Sequence, residues 1–125
     1  MMDRVRFEEF TRDGKSFMYV DFSDLKSNES FTEVFDTVTP KIAKYPPCTL
    51  YTITNVANIR FDTETKEFVA QYMRHNKQYV KYAAIIGIDG IKKMFANAVF
   101  ELSGRNNMLF AFTKEQAIEL LLKKE

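Results

Sequence analysis

Two carboxylates and two hydroxyls stand together at Asp62-Thr63-Glu64-Thr65, between a strand-like stretch and a helical one. At a helix start such groups can cap free N–H groups, offer a hydroxyl to a kinase, frame an anion site or form a docking edge. Capping is the simplest reading: Asp62 or Thr63 accepts the N–H groups, and Glu64 lies against the positive end of the helix dipole. Asn58 precedes this junction and belongs to the same candidate edge. Gly87-Ile88-Asp89-Gly90 is a second candidate, because it follows a strand and precedes a helix, where α/β sheets bind ligands. Backbone N–H groups near Gly90, with Lys92 and Lys93 close by, could hold an anion, although a tight turn with solvated lysines also explains them.

The remaining chemistry-bearing residues are sparse. His75 is the only histidine and Cys48 the only cysteine, so a multi-histidine or cysteine-based metal site and an internal disulfide are both excluded. His75, beside Arg74 and Lys77, complements a helix C-terminus. Neither a G-x-G-x-x-G nor a P-loop pattern occurs, and no cofactor is expected. Arg74, Lys77, Lys81, Lys92, Lys93 and Arg105, with tyrosines interleaved, could touch an anionic membrane surface. Phe61, Phe68, Met73, Met94, Phe95 and Phe100 could line an apolar pocket or fill a packed core.

These residues must be positioned by an alternating series of elements. Residues 5–10 and 16–22 read as strands around an Asp13-Gly14 hairpin turn. Phe31, Val34, Phe35, Val38 and Ile42 share a helix face, with Ser30 and Glu33 as a capping box and a kink or fresh turn expected at Pro40. Residues 50–56 form a third strand. A helix follows from Thr63, with His75-Asn76-Lys77 closing it and another short turn suggested by Tyr79 and Val80. Residues 83–88 read as a buried strand. A third helix carries Ile91, Phe95, Ala98, Val99 and Leu102, residues 108–112 form the last strand, and Thr113 with Gln116 caps a final helix. The order β-β-α-β-α-β-α-β-α requires a single α/β domain over 1–125. It should hold a mostly parallel five-stranded sheet, one antiparallel hairpin and four helices.

This order, with YVDFSDL (19–25), HNKQYVKYAAIIGIDGIKK (75–93) and LSGRNNMLFAF (102–112), resembles a prokaryotic STAS-like family described as SpoIIAA-like. Its fold is shared with anti-sigma-factor antagonists and, more distantly, with lipid-carrying CRAL-TRIO domains. The resemblance implies a regulatory module whose second helix begins with an Asp-Ser-Ser/Thr-Gly-type motif that a kinase modifies. Here Asp62 and Thr63 match that motif, whereas Glu64 replaces the usual phosphate acceptor and Thr65 replaces the glycine. Glutamate cannot accept phosphate.

A net charge of +1 argues against a general nucleic-acid binder. No stretch approaches the length of a signal peptide core or a membrane span, so a cytoplasmic protein is expected. Without a nucleophile–base pair, metal set or cofactor motif, catalysis is not expected. The leading expectation is a STAS-like binding module that meets a protein partner or small ligand at the strand-to-helix loops. The alternative is a carrier of a lipid or other apolar molecule, and a third option is a homo-dimer formed through an exposed helix or the hairpin edge.

Overall fold

The computed structural model describes residues 4–60, 62–88 and 107–124. Strands β1 (Phe7–Arg12) and β2 (Lys15–Asp21) form the expected hairpin. Asp13 and Gly14 take positive φ values of 53° and 76°, as a tight two-residue hairpin turn requires. Helix α1 (Asn28–Ile42) follows, then β3 (Leu50–Asn55), α2 (Thr63–Asn76), β4 (Val80–Ile86), β5 (Met108–Phe110) and α3 (Lys114–Leu122). The expected helix over 91–102 lies outside the described residues, which hold three helices.

The five strands lie in chain order, β1-β2-β3-β4-β5. β1 is antiparallel to β2 and all other neighbours are parallel. Two apolar layers explain the near-continuous hydrophobic strands. On one face Met18, Val20, Leu50 and Ile85 pack under Phe31, Val34, Val38 and Ile42 of α1 and Ala70, Tyr72 and Met73 of α2. On the other, Phe17, Tyr51, Ile53, Ala84 and Ile86 are covered by Ala117, Ile118 and Leu121 of α3. A sheet buried on both sides has no polar alternation to show.

An aromatic series fastens α1 to α2. Phe31 and Phe35 lie 5.8 and 5.6 Å from Phe68, and Phe35 lies 5.4 Å from Tyr72. Such ring pairs contribute about 0.5–1.5 kcal/mol each beyond their buried area.

Several local expectations are corrected. The α1 cap is Ser27, whose hydroxyl accepts the Ser30 N–H at 3.1 Å, so Ser30 receives a cap and does not supply one. α1 does not restart at Pro40 but runs through it to Ile42, at the cost of the single ladder bond that the missing Pro40 N–H would have made. Tyr79 closes a turn onto the Asn76 carbonyl at 3.0 Å, and Val80 already belongs to β4. Thr113 does cap α3, accepting the Gln116 N–H at 3.1 Å, while the Gln116 side chain reaches back to the Phe112 N–H.

Candidate functional site

Asp21, Asn55 and Ile86 sit side by side at the carboxyl ends of three parallel strands. Beyond them the exit loops continue to pair. Phe22 N–H donates to the Asn55 carbonyl, Asp24 N–H to Ala57, Val56 N–H to Ile86 and Arg60 N–H to Leu25. The Asn55 carboxamide spans this rim, donating to the Tyr19 hydroxyl and accepting the Ala57 N–H, both at 3.0 Å. Gly87 passes so close that a Cβ would stand 2.7 Å from both Ala57 N and Asn55 Oδ1, and its φ is +84°. Only glycine fits that approach.

Two linked polar clusters stand on this rim. In the first, Arg4 donates to the Ser23 hydroxyl at 2.6 Å and lies 3.3 Å from Asp24 and 3.4 Å from Asp21. Arg6 is buried beneath it, donating to the Ser23 carbonyl at 2.6 Å, with Asp21 at 3.9 Å. A buried guanidinium is tolerable only when partnered in this way. Asn58 bridges Asp24 and Lys26, at 3.0 and 3.1 Å. Asp24 and Asn58 both adopt left-handed backbone, a conformation that short polar side chains accept best. The Asn58 hydrogen bond and then the Arg4 guanidinium hold the Asp24 carboxyl below its ordinary range.

The second cluster is built at the start of α2. Asp62 is its cap, accepting the Thr65 N–H at 2.8 Å. That bond, assisted by the Thr65 hydroxyl and Arg60, lowers the Asp62 pKa. Arg60 is the hub: its Nε lies 2.7 Å from Asp62, its Nη2 donates to Asn28 at 3.0 Å, and Glu64 stands 3.7 Å away. Asn28 completes the circuit by donating to Glu64 at 2.7 Å, which ties the start of α1 to the start of α2.

The structure therefore brings Asn58, Asp62, Thr63, Glu64 and Thr65 to one rim. Asn58, Thr63 and Glu64 are exposed, Asp62 is half-buried and Thr65 is buried. Gly90, Lys92 and Lys93 lie outside the described residues. Sequence reasoning missed Arg4, Arg6, Asp21, Asp24, Lys26, Asn28 and Arg60. The rule that ligands meet parallel sheets at carboxyl strand ends would have pointed to residues 21–26. Four basic groups (Arg4, Arg6, Lys26, Arg60) face four acidic ones (Asp21, Asp24, Asp62, Glu64), so an incoming anion meets carboxylates that are already seated.

The other candidates are scattered. Arg74, Lys77 and Lys81 lie at the amino end of the sheet, opposite the rim, and Arg105 is outside the described residues. His75 is exposed there, its ring 6.1 Å from Phe35, and exposed Cys48 donates its backbone N–H to the Gln78 carbonyl. Phe68 belongs to the α1–α2 aromatic series. Met73, with Thr52, Thr54, Asn76 and Met108, borders a cavity of about 10 Å³, the size of one water. Phe61, Met94, Phe95 and Phe100 lie outside the described residues. Among the described residues, no helix is long and apolar enough to cross a membrane. Comparison of the chain with protein-family models, curated proteins and solved structures finds no match in any of the three.

Proposed function

We propose that this chain is a non-catalytic, STAS-like binding module of the cytoplasm that docks a protein partner on the carboxyl-end rim of its sheet. One observation carries the reading: exposed Asp24, Asn58 and Glu64 are held by side-chain hydrogen bonds in the loops beyond β2 and β3 and at the start of α2, with exposed Thr63 beside them. Preset donors and acceptors of both signs suit a polar protein surface, which gains specificity and on-rate from complementary charge. They suit a free anion poorly, because Asp62 and Glu64 already occupy the helix start. The apolar-carrier alternative needs a pocket of about 300 Å³ or more, and the small cavity at Met73 lends it no support.

The test is native mass spectrometry of tagged protein purified from its own source, beside Glu64→Arg and a Glu119→Arg control on α3. The reading expects a bound polypeptide whose affinity falls about tenfold or more with Glu64→Arg, equivalent to roughly 1.4 kcal/mol, and is unchanged by the control. A small apolar mass lost on denaturation establishes the carrier instead. A polypeptide held equally by all three proteins moves the docking surface off the rim.

A further inference from the structure

We propose that β1 is a self-recognition edge, on which a second copy of this chain pairs antiparallel about a two-fold axis through Phe10. The two five-stranded sheets then join into one continuous sheet. β1 is terminal in the sheet order, and among the described residues nothing pairs with its outer side. The phase of the ladder fixes what that side presents. Asp21 N–H donates to the Arg6 carbonyl at 2.7 Å, so Arg6, Glu8, Phe10 and Arg12 exchange bonds with β2. Phe7, Glu9 and Thr11 therefore turn their N–H and C=O groups outward.

Isolated charges on an edge strand normally repel a second strand. Here the order Phe7-Glu8-Glu9-Phe10-Thr11-Arg12 is complementary to itself when the axis passes through Phe10. With the axis at Phe10, Glu8 faces Arg12 of the other copy twice, Phe10 faces Phe10, and Glu9 faces Thr11. With the axis at Glu9, two Glu9 carboxylates oppose one another. At Glu8 the Glu8 pair does so, and at Thr11, Glu9 faces Asp13. Like charges directly opposite are destabilising, so these three alternatives are disfavoured.

α3 extends the same complementarity. Lys114 pairs with Glu8, and Arg12 lies 3.7 Å from Glu115, within one copy. These side chains border a groove of about 240 Å³ along the edge, floored by Phe10, which stacks on Phe17 at 5.1 Å. In the dimer each Lys114–Glu8 pair abuts the Arg12–Glu115 pair of the second copy, giving two rows of alternating sign across the junction. Charges that would guard the edge against other strands admit this one.

Sedimentation equilibrium tests the proposal, with circular dichroism to confirm that every variant folds. The wild type should dimerise in the micromolar range and dissociate as salt is raised. Glu8→Arg and Arg12→Glu should each weaken self-association at least about tenfold, because each sets two like-charge pairs face to face. Mixing the two variants one to one should restore a dimer, since every facing pair is again opposite in sign. Glu9→Pro removes an outward N–H without touching the β2 ladder and should leave a monomer. A wild type that stays monomeric throughout that range overturns the proposal. A dimer indifferent to Glu9→Pro, or variants that fail to recover on mixing, overturns the edge or the register.

Discussion

Asp62 shows how one residue serves fold and surface together: one carboxylate oxygen closes the first turn of α2, and the other meets the Arg60 side chain that reaches across to α1. Its folded pKa is depressed, first by the Thr65 N–H, so the charge stabilises the fold above the ordinary value of 3.8 and ceases to do so as pH falls through the folded value. Asp62→Asn keeps an acceptor but removes the charge. The stability gap between wild type and variant, read from urea titrations, should be largest near neutrality and close in acid. A gap constant with pH would remove the charge from the account. The cap itself was legible in the sequence because capping is local chemistry. Arg6 was not, since only the return of the chain from β2 through Ser23 makes an arginine in a strand-like run a buried ligand of carbonyl groups.

Helices α1 and α2 depend on the ring contacts between them as well as on their own propensity. Phe31 is fully buried and touches Phe22 and Phe68, each at 5.8 Å. Phe31→Ala should cost about 3–5 kcal/mol in chemical denaturation, the range for deleting a core phenylalanine. Hydrogen exchange should then show α1 and α2 losing protection together, because one hydrophobic layer holds both. The 3–4 spacing of Phe31, Val34, Val38 and Ile42 made α1 readable. Its cap was not legible, because Ser27 and Ser30 are chemically equivalent three residues apart and only the turn of the chain chooses between them. The start of β4 was not legible either, because Val80 and Lys81 follow directly on a turn, leaving no gap in the pattern to mark the change.

At the scale of the whole molecule, alternating strands and helices foretold a mixed sheet buried on both faces, and the structure has one. Which strand lies beside which was not legible, because pairing is fixed by contacts far apart in sequence. The strand order has a consequence for how the chain is made. Each strand joins the free edge of the sheet already present, so no later strand has to be inserted between two earlier ones, and the growing chain can add structure from its N-terminal end. α3, the last element described, is what shields Phe17, Tyr51, Ile53, Ala84 and Ile86. Until its nine residues leave the ribosome, that apolar face lacks the one described helix that packs on it, and exposed apolar surface favours aggregation. A chain ended after Phe112 should therefore bind a hydrophobic dye and associate non-specifically, where the 125-residue chain does neither. If the shortened chain stays dispersed and dye-silent, the face is guarded from birth by something other than α3.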